Sequence, residues 1–213
     1  MERGWKTREE HNFEEAEKLL NEAKDIFERE GDWFNVTECL NHLAYNKKTQ
    51  AQNMLTEGYA LASESLKIAK EKGTKNVFAN RAMLSLSDAL GVYEEAINYA
   101  KETLETFGEI ADRADILSHI ATLELRAGDK EKAKETIEEA DSLLEKTWDE
   151  SKAPHIYIWK TRLLGAKALI EYDLGNIEVA KKLAEDGLQL AKEKELKTRV
   201  KQLEHLVNFL SSL

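Results

Sequence analysis

The sequence is poor in the residues that crosslink or punctuate a chain. It holds one cysteine, Cys39, and one proline, Pro154, among 213 residues. A single cysteine forms no intramolecular disulfide, and without a CxxC pair there is no zinc or dithiol motif. Ten glycines beside that one proline are too few for an all-β chain built on tight turns. No apolar run approaches the roughly 18 residues of a membrane span. The N-terminal MERGWKTREEH also lacks the apolar core of a signal peptide. Positive charge is in deficit: 31 Lys and Arg face 41 Asp and Glu, a net charge of −10. That balance argues against a nucleic-acid backbone as partner. These absences predict a soluble, cytoplasmic protein with no membrane or nucleic-acid partner.

What is present is helical periodicity. Apolar residues recur at spacings of three and four, as in Ile116, Leu117, Ile120, Ala121 and Leu125, and again in Ala133, Ile137, Ala140 and Leu144. This is the stripe of a helix with one buried face. Gly31-Asp32, Gly73-Thr74, Gly128-Asp129 and Gly175-Asn176 each pair a helix-stopping glycine with a residue able to cap the next helix. Pro154 fits a first helical turn, where no N–H is lost. The pattern predicts an all-α chain of about eleven helices, a count read from this same spacing.

Five segments share a small-residue pattern: FEEAEKLLNEA (Phe13–Ala23), YALASESLKIA (Tyr59–Ala69), YEEAINYAKET (Tyr93–Thr103), KEKAKETIEEA (Lys130–Ala140) and IEVAKKLAEDG (Ile177–Gly187). Aligned on their first alanine, they place Ala16, Ala62, Ala96, Ala133 and Ala180 at one position, at intervals of 46, 34, 37 and 47. Two helices approach to about 8 Å only where the residue at the crossing is small. A lone helix pair leaves one face bare, so such pairs stack.

These segments resemble the tetratricopeptide repeat (TPR), a helix–turn–helix unit of about 34 residues with small residues where its helices cross. GDKEKAKETIEEA and GVYEEAINYAKETL are similar to its second helix, and LNHLAY (Leu40–Tyr45) to part of its first. Lys167 departs from the pattern, occupying a position that the family fills with an apolar residue. The resemblance implies a single TPR-like domain over 1–213, a right-handed α-solenoid. Its repeats fall at about 1–31 (partial), 32–73, 74–108, 109–148 and 149–194, with a C-terminal capping helix at 195–213. The intervals of 46 and 47 imply lengthened helices or added loops.

The terminal helix carries Leu196, Val200, Leu203, Val207 and Leu210 in a heptad-like seam. A cap over the last repeat is the plainer reading. Leu206, Phe209 and Leu213 widen the apolar surface, so a weak homodimer through this helix is the other, and the chain is expected to be a monomer or such a dimer. At the opposite end the first helix looks truncated, leaving Phe13 and Leu20 to be covered by a lost repeat or a partner.

Catalytic signatures are missing: no GxxxxGK[ST], GxGxxG after a strand, GxSxG or HExxH occurs. Glu38–His42 and Asp115–His119 are each one helical turn apart, but a catalytic zinc wants three protein ligands. They read as i,i+4 pairs on solvated faces. Cys39, amid Val36, Leu40 and Leu43, reads as a packed thiol. No enzyme activity, cofactor or metal is expected. The richness in Glu, Lys and Arg leans toward a thermophilic source.

The TPR resemblance also implies a concave groove lined by the first helix of each repeat. Carried onto this sequence, it presents Glu38, Asn41, Tyr45 and Lys48, then Phe78, Arg81, Ser85 and Asp88. Next come Asp115, Ser118, Thr122 and Leu125, and finally Arg162, Gly165, Leu169 and Tyr172. Three cations, Lys48, Arg81 and Arg162, face three anions, Glu38, Asp88 and Asp115, so a mixed peptide read by aromatic anchors such as Tyr45 and Tyr172 is expected. The stacked lysine–asparagine clamp of chaperone-binding members is not reproduced. Two functions follow: a protein-interaction scaffold holding an extended or helical peptide, or a ligand- or peptide-sensing module whose superhelix pitch changes on binding. An open groove would mark the first, a closed pocket with convergent polar groups the second.

Overall fold

The computed structural model describes residues 1–74, 77–106 and 110–213. Among them are ten α-helices, one short 3-10 turn and no strand. The chain divides into two compact units, Met1–Leu61 and Ala62–Leu213.

The first unit contains α1 (Glu2–Glu9), α2 (Phe13–Glu30) and the greater part of α3 (Trp33–Lys72). Asn12 caps α2 by accepting from the Glu15 N–H, and Gly31 ends it in the left-handed conformation. Leu20 of α2 is fully buried. Gly4 of α1 is the reason: a Cβ at that position would lie 2.7 Å from Leu20 Cγ. Asn46, also fully buried, donates from Nδ2 to the Phe13 carbonyl at 3.0 Å and so ties α3 to the start of α2.

The segment 32–73 departs from expectation. In place of a helix–turn–helix unit it forms one continuous helix of 40 residues, α3. Between Trp33 and Lys72 the sequence has no proline and one glycine, Gly58, which stays helical. Nothing stops the helix, so the longer interval between Ala16 and Ala62 is absorbed by added turns.

The second unit repeats one device. Its helices are α4 (Val77–Ala89), α5 (Tyr93–Thr106), α6 (Ile110–Arg126), α7 (Lys130–Lys146), α8 (His155–Asp173), α9 (Ile177–Glu193) and α10 (Lys197–Ser211). They pack as α4 on α5, α6 on α7 and α8 on α9. Contacts of α5 with α6, α6 with α8 and α7 with α8 join the pairs. The expected repeat boundary at 108 and 109 lies outside the described residues. Gly91, Gly128 and Gly175 stand between the members of the three pairs at φ of +79°, +88° and +86°, a region costly for a residue with a Cβ. Asp129 then caps α7 through the Lys132 N–H. Asn176 makes no such cap on α9, and its side-chain amide donates back to Glu171 instead.

The aligned alanines do what their size allows. Ala96, Ala133 and Ala180 are fully buried, as are Ala100, Ala140 and Ala184 one or two turns on. Ile137, Leu144, Ile156, Leu163 and Ile170 fill one core around Ala96, Ala100, Ala133 and Ala140, while Ala180 and Ala184 pack in a second cluster with Ala168 and Leu210. The last pair is covered by α10, whose Leu203 and Leu210 are buried. Leu203 sits over two glycines: a Cβ on Gly165 of α8 or Gly187 of α9 would lie 3.3 to 3.5 Å from its methyls. No helix among the described residues is long and apolar enough to cross a membrane.

Candidate binding groove

The first helices of the second unit leave two cavities, and Arg162 lines both. The first encloses about 560 Å³ and takes Ser85 and Asp88 from α4, His119, Thr122 and Arg126 from α6, and Arg162, Gly165 and Leu169 from α8. Its further wall is α10, which contributes Arg199, Gln202, Leu203, Leu206 and Phe209. The second encloses about 710 Å³ between Phe78 and Arg81 of α4, Asp112 and Asp115 of α6, the turn at Ser151 and Lys152, and Ile158 and Trp159 of α8.

Two carboxylates organise the floor. Asp115 is 1% exposed, and its Oδ2 accepts from Arg81 Nη2 at 2.6 Å and Arg162 Nη1 at 2.9 Å. These bonds link α4, α6 and α8. The other oxygen, Oδ1, is buried without a hydrogen-bond partner. Asp88 of α4 is paired through Oδ2 to His119 Nε2 at 2.9 Å and through Oδ1 to Arg126. Burial alone would raise the Asp88 carboxyl, but the bonds from His119 and Arg126 outweigh it and hold the group below its usual range. On the outer side of α8, Asp141 of α7 meets Lys167 at 2.5 Å and Lys160 at 3.2 Å. Lys167, which breaks the apolar pattern of the sequence, is half-buried because Asp141 receives it.

Arg199 differs from the other arginines. It donates to Gln202 Oε1 at 2.7 Å. Burial, with the nearby Arg162 charge second and Asp115 opposing, pushes its pKa down to about 10.

Several expected groove residues meet here: Phe78, Arg81, Ser85, Asp88, Asp115, Thr122, Arg162, Gly165 and Leu169 all line one cavity or the other. Others do not. Ser118 is buried and donates to the Ala114 carbonyl. Tyr172, expected as an exposed anchor, packs edge-on against Phe209 of α10 with ring centroids 5.2 Å apart. Asn41, Tyr45 and Lys48 are exposed on α3 in the first unit. The pair Asp115–His119, expected on a solvated face, is split between Arg81 and Arg162 on one side and Asp88 on the other. Cys39 is buried, and burial raises its thiol pKa.

Sequence reasoning missed Arg126, Arg199 and Gln202. A signal existed for Arg199: it lies three residues after Leu196 and four before Leu203, inside the apolar stripe of α10. A charged residue beside a buried stripe is a candidate for a site. Adding the two arginines changes the charge of the groove. Three arginines and one carboxylate line the first cavity, whereas the balance expected from the sequence was counted over the whole groove.

Three consecutive pairs with a left-handed glycine between their helices and an alanine at each crossing constitute the repeat. The pairs are TPR-like. Two crystal structures described as putative kinesin light chain nearly identical TPR-like repeats from Podosopora anserina, one of them a substituted form, are similar in fold to this chain. Each is 16% identical to it. The matches cover 91% of this chain and 93% and 94% of those chains, with TM-scores of 0.48 and 0.46. Neither a protein-family model nor a curated protein matches the sequence.

Proposed function

We propose that the protein is a non-enzymatic interaction scaffold that holds a peptide of a partner protein along the first helices of its second unit. The observation that carries this reading is that α4, α6 and α8 line two adjoining cavities that meet at Arg162. A groove built from successive repeats takes an elongated ligand, since each repeat offers one set of side chains. Phe78, 75% exposed, supplies an aromatic anchor at one end. The exposed Asn41, Tyr45 and Lys48 on α3 are a candidate surface of the first unit by itself. Panning a random peptide library against the purified protein tests the reading. Selected peptides should lose affinity to Phe78→Ala and Ser85→Tyr and keep it with Glu138→Ala on the second helix α7. Binding lost only in the α7 variant would move the partner to the opposite face and overturn the assignment.

A sensing function has its own support in α10. That helix walls the first cavity, whose volume lies within the range of small-ligand sites, about 300–1,000 Å³. A ligand touching both α8 and α10 would alter how firmly the terminal helix is held. Hydrogen exchange across Lys197–Ser211 that slows on ligand addition would favour this reading, and unchanged exchange would remove it.

A further inference from the structure

We propose that the exposed face of α3 in the first unit pairs with the same face of a second copy of this chain, as a short antiparallel coiled coil. Trp33, Leu40, Lys47, Met54 and Leu61 recur at intervals of seven, four heptads from first to last. The four apolar members are 65%, 50%, 66% and 69% exposed. Four residues after each of the first four stand Thr37, Ala44, Ala51 and Gly58. The first three of these are exposed and Gly58 is half-buried. Together the two rows step by four and three, the seam of a left-handed coiled coil, and three to four heptads are enough for such a seam to be read. They avoid the positions that the unit buries for itself, Val36, Cys39 and Asn46.

The face is complementary to itself, and in one orientation. A parallel pair would set each row on its own copy, with Trp33 on Trp33, Lys47 on Lys47 and voids between the small residues. An antiparallel pair sets the large row of each helix on the small row of the other, the reciprocal contact that a two-fold axis demands. Charge then selects the register. A two-fold at Thr49 would bring Lys47 and Lys48 close to their own copies. A two-fold between Gln52 and Asn53 separates them: Leu61 lies on Ala44 of the second copy, Met54 on Ala51, and Lys47 on Gly58 beside Glu57. Lys47 is already paired with Glu17, so it brings no uncompensated charge into the contact. Large side chains of this kind bury on the order of 100 Å² apiece. Four on each copy, with the small rows between them, come to roughly 1,000 Å², the lower bound of a specific interface. A contact of that size is weak, with a dissociation constant of about 10–100 µM.

Sedimentation of the full chain should therefore show a monomer at about 1 µM and twice that mass at about 500 µM. Leu61→Glu should hold the chain at the monomer mass throughout. Ala51→Trp should do the same, because it fills the row that receives Met54. Tighter association of Ala51→Trp would mark an unspecific apolar face and overturn the proposal. Helical circular dichroism equal to the parent's shows that both variants are folded. Orientation is read by mixing Ala44→Cys with Leu61→Cys under mild oxidation. The mixture should give a disulfide-linked pair that neither protein forms alone, and Cys39, being buried, does not compete. Leu61→Cys joined to itself means a parallel pair and overturns the assignment. A chain that stays monomeric at the highest concentration overturns it as well. So does a dimer that survives Leu61→Glu and is lost with Leu213→Glu, which would put the contact on the C-terminal residues.

Discussion

The same alanine-marked pattern produces two different structures in this molecule. Between Val77 and Glu193 it yields three helix pairs, whereas between Trp33 and Lys72 it yields one uninterrupted helix. The aligned alanines are buried in both regions: Ala96, Ala133 and Ala180 at 0% and Ala62 at 8% exposure. What differs is the punctuation. Each pair has a glycine in the left-handed conformation between its helices, and α3 has none. Small residues license a close crossing, but only a chain reversal brings the two helices together. The consequence shows on the surface of the first unit, where Trp33, Phe34, Tyr45, Met54 and Leu61 are each more than half exposed along α3.

Overfilling the crossings should separate the regions most sharply. Ala133→Leu adds three carbons where α6 and α7 meet and should cost about 3 kcal/mol, as overpacking a tight core does. Ala44→Leu, on an exposed position of α3, should stay within about 0.5 kcal/mol of the parent. Urea unfolding of both variants measures the contrast, and equal losses would mean that α3 is as tightly packed as the pairs.

The glycines give a contrast of sign. Gly128→Ala forces a Cβ into a φ of +88° with no atom within 4 Å to blame, so its cost of about 1–2 kcal/mol is backbone strain alone. Gly58→Ala, inside a helix, should instead stabilise by about 0.5–1 kcal/mol. Thermal melts that move in opposite directions support the punctuation argument. A stabilising Gly128→Ala would break it.

How much was legible in the sequence follows from the same physics. Periodicity and glycine stops gave the helices of the second unit, because both signals act within a few residues. The register of α4, α6 and α8 put Arg81, Ser85, Asp88, Thr122 and Arg162 on one face, and these residues line the two cavities. What failed depended on distant partners. Asp115 and His119 look like neighbours on one helix, yet their partners come from α4 and α8. Tyr172 looked exposed until α10 brought Phe209 to it. The absence of a break in α3 was visible in Lys47–Glu57, which has no glycine or proline, but the repeat pattern outweighed it.

The charge pairs complete the comparison at the smallest scale. Asp141, with 18% of its side chain exposed, sits between Lys160 and Lys167 in the second unit. Lys47 and Glu17 meet in the first unit with 59% and 38% of their side chains exposed. Burial would raise the Asp141 carboxyl, but the bond from Lys167 and the charge of Lys160 hold it below its usual range. A carboxyl whose folded pKa is depressed lends stability that is present above its unfolded pKa of about 4 and disappears as pH falls through the folded value. Asp141→Asn should therefore cost about 1–2 kcal/mol at pH 7, and the gap to the parent should close as the solution is taken below pH about 4. Glu17→Gln removes a solvated pair and should cost about 0.5 kcal/mol or less. That small loss should shrink when salt is raised to about 1 M, where screening reaches within 3 Å, whereas the Asp141 loss should persist because water and ions reach it poorly. Denaturation of the two variants at low and high salt, each at pH 7 and pH 3, reads out both dependences. A Glu17 loss as large and as salt-resistant as that of Asp141 would show the first unit to be packed as closely as the second.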